Sequence, residues 1–259
     1  MTDASAPNVS PAPAQAPLSA LAAEFAPTGQ LRASINLGNP LLANRDPATG
    51  QPVGVSIDLA HELARQLGTS LELLVFDGAA KSVDAVTREE ADIGFFAIDP
   101  LRGAGLHFTA PYILIEGSYL VRQASPLQDT GQVDAAGHRV AVGQGSAYDL
   151  FLTRELTRAQ VFRGEGAAGA IAVFEMQKLD ALAGIRLMLE AEAAKNPDLR
   201  MLPGHFMLIQ QAMGCPKTRS DAVATALRSF VERMKSSGFV ADAMKRHGIV
   251  GASVAGSTV

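Results

Sequence analysis

The chain has 259 residues, 47% of them hydrophobic, which suffices for one large domain or two lobes of moderate size. Twenty-two basic residues against 26 acidic ones give a formal net charge of −4 with no long run of either sign, so charge offers no reason to expect binding to nucleic acid or an anionic membrane. The single cysteine, Cys215, excludes an intramolecular disulfide, the five histidines are too scattered for a zinc site, and no apolar run reaches the roughly 18 residues of a membrane span.

Residues 1 to 28 read as a disordered leader. The first 24 are rich in Ala, Pro and Ser, and no Lys or Arg precedes Arg32. A secretory signal needs a basic start and a continuous apolar stretch of roughly 7–15 residues, and neither is present. On this reading the protein is cytoplasmic if Met1 is its native start.

The regular pattern begins after Gly29. Leu31 to Leu37 reads as a strand. A helix follows from about Ser56 to Gln66, with Ser56 as its cap, Asp58 near its positive end and Gly68 as its stop. Ala60, Leu63, Ala64 and Leu67 form one buried stripe. Ser70 to Phe76 is a second strand, residues 79 to 90 a helix, and Ile93 to Ile98 a fully apolar third strand. Strand, helix, strand, helix, strand implies a parallel sheet with crossover helices.

A similar unit starts at Arg139. Arg139 to Val142 is a strand, then Gly143-Gln144-Gly145-Ser146 opens a helix to about Thr157. A strand near Gln160 to Phe162, a helix over 167 to 177, a strand from Leu179 to Ala183 and a helix from Arg186 to Lys195 follow. Phe206 to Met213 is again a strand, and helices at about 220–235 and 239–246 end the pattern, separated by Gly238. Two extended segments, Gly117 to Gln123 and Met207 to Gly214, cross between the units. Lobe 1 is then residues 29–119 with 212–259, and lobe 2 is 120–211. The cleft lies between them, where strand carboxyl ends and helix N-termini converge.

Three segments resemble the amino-acid-type (family 3) periplasmic solute-binding proteins of ABC transporters. The first is Gly54-Val55-Ser56-Ile57-Asp58-Leu59-Ala60 through Leu67-Gly68. The second is Ala91-Asp92-Ile93-Gly94 through Arg102, His107-Phe108-Thr109 and Pro111-Tyr112. The third is Val140-Ala141-Val142-Gly143-Gln144-Gly145-Ser146. Each is weak alone; their order and spacing over roughly residues 30 to 250 make the likeness specific. The resemblance implies an α/β type II periplasmic-binding-protein fold: two lobes, two crossover strands, and a small polar ligand trapped by hinge closure. It implies a periplasmic monomer that is not an enzyme, needs no cofactor, and has a transporter permease as partner.

Arg102 aligns with the family arginine that binds the ligand's carboxylate, a job suited to a planar fork of donors; the alternative is a solvated loop arginine. Ser146, with Gly145 before it, sits where a strand meets a helix and can form an anion site; the alternative is an ordinary N-cap, with Asp149 completing a capping box. The sequence also departs from the family. Asp99 and Ala97 replace hydroxyl residues, and Gly184 and Ile185 stand where the acid gripping the ligand's ammonium belongs. Asp99 either binds a ligand cation, holds Arg102, or is a turn residue before Pro100. Asn39, Phe95, Glu116 and Tyr119 are further candidates: Asn39 at the end of the first strand, Phe95 as an apolar wall or core residue, Glu116 and Tyr119 at the first crossover.

Three other readings compete. Gly143-Gln144-Gly145 suggests a dinucleotide site, but Tyr148 occupies the third glycine's place. A dehydratase on the same fold needs a cleft acid or base, for which Asp99 and Glu116 are the candidates. A cytoplasmic ligand sensor is the third.

Overall fold

The computed structural model describes residues 17–256. Its elements run β1 (Gln30–Asn36), a hairpin of β2 (Asn44–Arg45) and β3 (Pro52–Val53), α2 (Val55–Leu67), β4 (Ser70–Phe76), α3 (Ala79–Thr87), β5 (Ile93–Ala97), β6 (Leu106–Phe108) and β7 (Ile113–Arg122). The second unit comprises β8 (Arg139–Gly143), α4 (Ala147–Glu155), β9 (Gln160–Gly164), α5 (Gly166–Met176), β10 (Ala181–Ile185), α6 (Arg186–Lys195) and β11 (Leu199–Met201). β12 (Met207–Pro216), α7 (Asp221–Ser236), α8 (Phe239–Arg246) and β13 (Ala252–Val254) complete the chain. One short helix, α1 (Ala22–Phe25), precedes them.

The sheet order is β4-β1-β5-β12-β7-β10-β8-β9. β1 pairs in parallel with β4 and β5, and β8 pairs in parallel with β9 and β10. Each triplet thus places its first strand in the centre, with the other two on either side. Parallel neighbours need crossovers; α2 and α3 supply them in the first unit, α4 and α5 in the second. The antiparallel strands β12 and β7 join the triplets, β12 pairing with β5 and β7, and β7 with β10. The two crossover strands expected from the sequence are these two, each longer than expected. In such sheets the ligand crevice opens beyond the carboxyl ends of the central strands, here Asn36 and Gly143.

Two units mean separate cores. Leu31, Ala33 and Ile35 of β1 pack with Leu59, Leu63 and Leu67 of α2, and with Val223, Leu227 and Phe230 of α7. The C-terminal helices therefore return to the first unit. Val140, Val142, Leu152 and Tyr119 form one core of the second unit, and Ala141, Phe174 and Leu182 another.

Three local expectations change. Residues 17–28 are not all leader: Leu18–Leu21 form a 3-10 turn, α1 follows, and Phe25 is 1% exposed within the first core. Composition hid this because two apolar anchors, Leu18 and Phe25, suffice to dock the segment; residues 1–16 lie outside the described residues. Second, Gly54, not Ser56, caps α2. Gly54 has φ +135°, and a Cβ there would sit 2.3 Å from the Leu42 carbonyl oxygen, so the chain turns where only glycine fits. Ser56 lies inside the helix, its hydroxyl 3.4 Å from that of Tyr112. Third, β10 begins at Ala181, two residues later than expected, because Asp180 first turns to accept the Arg139 amide at 2.8 Å.

Candidate functional site

A cleft of about 640 Å³ lies where the triplets meet. The first unit contributes Asn36, Asn39, Ser56, Phe95, Ala97 and Arg102; the second contributes Gly143 to Tyr148, Ile185 and Met188. β12 adds Ile209 and Gln211. The volume is in the range of small-molecule sites.

Arg102 starts a 3-10 turn after β5 and is 7% exposed. Nη1 donates to the Ala97 carbonyl at 3.2 Å, and Nη2 donates to the Gly145 carbonyl at 3.0 Å. The second bond joins the two units. Burial lowers the pKa of this guanidinium, and the charge of Asp99 partly opposes that. No carboxylate hydrogen-bonds Arg102 among the described residues, so a buried cation faces the cleft with donors to spare. A solvated loop arginine does not describe it.

Gly145 has φ +70°, and a Cβ there would meet the Ala80 Cβ at 3.4 Å, so the glycine turn comes close to the first unit. Ser146 caps α4, its hydroxyl accepting from the Asp149 amide at 3.0 Å. The capping box is displaced by one residue: Asp149 Oδ2 accepts from the amide of Gly145 at 2.8 Å, while the Ser146 amide donates to Gly143 at 3.1 Å. Arg163 Nε in turn donates to Asp149 at 3.0 Å. The amides of Gly145, Ser146 and Asp149 are thus engaged within the protein, and Ser146 lines the cleft with its hydroxyl.

Phe95 and Asn39 line the cleft as expected. Phe95 is 5% exposed and meets Tyr112 edge-on at 6.4 Å, so it serves as both wall and core. The Asn39 Oδ1 is buried without a hydrogen-bond partner among the described residues.

Asp99, Glu116 and Tyr119 do not line this cleft. Asp99 accepts from Arg154 Nη1 at 2.8 Å and from the Leu101 amide at 2.9 Å, beside a second cavity of about 410 Å³. Glu116 accepts from Arg186, with His205 Nδ1 3.7 Å away. Tyr119 is buried against Phe206, ring centroids 4.5 Å apart. Asp99 and Glu116 are each taken up by an arginine, and Tyr119 packs into the core of the second unit.

Sequence reasoning missed Asn36, Lys81, Gln144, Tyr148, Met188 and Gln211 as lining residues. Asn36 is the last residue of β1, one before the strand end expected from the sequence; Gln211 carried no signal. At the rim, Lys81 donates to Asp77 at 2.8 Å, which raises the lysine's pKa, with Glu165 of the other unit adding to the shift. Burial raises the Tyr148 pKa, so its hydroxyl stays protonated at neutral pH.

The chain matches the family model described as "Bacterial extracellular solute-binding proteins, family 3" over residues 34–249. Among solved structures, an arginine-binding protein mutant from T. maritima is 23% identical, with 88% of this chain and 98% of that chain covered and a TM-score of 0.71. A solute receptor for L-cysteine from Neisseria gonorrhoeae is 21% identical, covering 90% and 93%, with a TM-score of 0.72. An ancestral amino-acid-binding protein, described as a precursor of cyclohexadienyl dehydratase, is 20% identical, covering 87% and 97%, with a TM-score of 0.69. At these identities the likeness establishes the fold. No curated protein matches the chain. No helix among the described residues is long and apolar enough to cross a membrane. The match over most of the chain, on two α/β lobes joined by two crossover strands with a cleft between them, makes it a member of the bacterial extracellular solute-binding proteins of family 3.

Proposed function

We propose that this protein captures a small carboxylate-bearing ligand, an amino acid or an analogue, and delivers it outside the cytoplasmic membrane to the permease of an ABC transporter, working as a monomer without chemistry of its own. Arg102 carries the reading: a buried cation on the cleft wall, hydrogen-bonded to the other lobe and, among the described residues, to no carboxylate. A ligand carboxylate would supply the missing partner. Related folds bearing the names of an arginine-binding protein and an L-cysteine receptor support the ligand's size and polarity. The lobes divide as 29–119 with 212–259, to which residues 17–28 dock, and 120–211, with Ser146 meeting the ligand from the second.

An enzyme on this fold would draw on Asp99 or Glu116, and both are tied to arginines away from the cleft. That favours binding over catalysis. The test is mass spectrometry of ligand retained by the purified protein, then calorimetry of that ligand with Arg102→Ala. Loss of about two orders of magnitude or more in affinity with the fold intact supports the reading; unchanged affinity removes Arg102 from the site.

A further inference from the structure

Resting on the reading that Arg102 holds a ligand carboxylate, we propose that the preferred ligand carries no α-ammonium: it is a 2-hydroxy or 2-oxo carboxylate with an uncharged body. The argument is an inventory of charge. Burying an ammonium requires an anionic partner or a full set of well-placed acceptors, since the desolvation cost is otherwise uncompensated. The carboxylates that line the cleft, among the described residues, are Asp77 and Glu165. Both stand at the exposed rim, and Asp77 is held by Lys81 at 2.8 Å. Near the glycine turn, Asp149 is buried but accepts from Gly145 and Arg163 and does not line the cleft.

The inner walls are apolar or neutral. Leu42, Phe95 and Ala97 come from the first lobe, Ile185 and Met188 from the second, and Ile209 from β12. Ile185, at the end of β10, is 6% exposed and presents a hydrocarbon surface to the cleft. The polar groups present suit an uncharged oxygen instead. Asn36, Gln144 and Gln211 offer amide donors, and Ser146 and Tyr148 offer hydroxyls.

The test uses matched triplets on the wild-type protein: L-alanine, lactate and pyruvate; L-leucine, 2-hydroxy-4-methylpentanoate and 4-methyl-2-oxopentanoate; L-phenylalanine, phenyllactate and phenylpyruvate. Thermal shift screens them and calorimetry measures the hits. We expect at least one hydroxy or oxo acid to bind about tenfold or more tightly than its amino acid, as an uncompensated buried charge predicts. We also expect Ile185→Asp to reverse that order. Amino acids binding more tightly than both partners throughout, and losing affinity in Arg102→Ala, would overturn the inference while leaving the proposed function standing. Deaminated acids binding equally well to Arg102→Ala would overturn both. A panel in which no member shifts the melting curve also sinks the ligand class proposed here, whatever Ile185→Asp does to the fold.

Discussion

Arg154 on α4 donates to Asp99, just after β5, at 2.8 Å, and so ties the second lobe to the first at a point outside the ligand cleft. Asp99 is 4% exposed and the Arg154 side chain 42%. A half-exposed pair of this kind contributes about 1 kcal/mol or less. Its leverage lies in what it biases: a contact made in the closed arrangement shifts the open–closed population, and with it the apparent affinity. Arg154→Gln is therefore expected to enlarge the radius of gyration of the unliganded protein and to weaken ligand binding by up to about fivefold. Raising the salt concentration should shrink the difference from wild type, because the pair is screened. Asp99→Asn should act alike, and the double variant should add little to either. Small-angle scattering with calorimetry checks this; fully additive effects would show that the two residues act separately.

Gly164, the last residue of β9, sits against the first turn of α5. A Cβ there would lie 2.1 Å from the Gly169 carbonyl carbon and 2.3 Å from the Ala170 nitrogen, all backbone atoms. Backbone cannot swing aside as a side chain can, so Gly164→Ala must push α5 off the sheet. The expected cost is about 3 kcal/mol. Because Glu165 and Gly166 line the cleft, binding should weaken as well. A melting temperature equal to wild type would mean that α5 slides freely, contrary to this packing.

The architecture was legible because it rests on local patterns. The stripe Ala60, Leu63, Ala64 and Leu67 announces α2, and the unbroken apolar run from Ile93 announces a central strand buried on both faces. Arg102 was legible through its neighbours in the chain. The role of Asp99 was not: its partner, Arg154, lies 55 positions away and belongs to the other lobe. Ser56 misled because its residue type suits a cap, whereas the helix start was decided by the close approach of Gly54 to Leu42. The short strands β6, β11 and β13 exist because β7 and β12 offer them ladder partners, and three residues carry no periodicity to read.

Asp134 gives a pH dependence whose sign follows from its contacts. Its carboxylate accepts from the amides of Ala159, Arg158 and Thr157, and these bonds hold its pKa well below the usual carboxylate value. A depressed folded pKa contributes stability that is fully present above the unfolded value of about 4 and is lost as pH falls toward the folded one. Asp134→Asn should thus lower the melting temperature by a constant amount between about pH 5 and 8, and the gap should close below about pH 4. A gap independent of pH down to acid unfolding would assign the effect to geometry instead of charge.

Arg102 should separate stability from function. Its guanidinium is nearly buried, burial lowers its pKa against the opposing charge of Asp99, and its bonds run to two carbonyls, with no carboxylate among the described residues hydrogen-bonded to it. A buried ion whose only counter-charge, Asp99, acts through space and is itself held by Arg154 is a net cost to the unliganded protein, and replacing it with a hydrocarbon of similar length removes that cost. Arg102→Met is therefore expected to melt at or above the wild-type temperature in the absence of ligand. The same variant should bind at least about a hundredfold more weakly, since the ligand carboxylate loses its partner. Arg102→Lys should fall between: it keeps the charge but, as a point donor on a flexible stem, cannot serve Ala97, Gly145 and a ligand together. Loss of the Gly145 bond should also leave Arg102→Met more open in small-angle scattering. If Arg102→Met instead melts well below wild type, the two carbonyl bonds outweigh the desolvation, and Arg102 holds the lobes together before it holds any ligand.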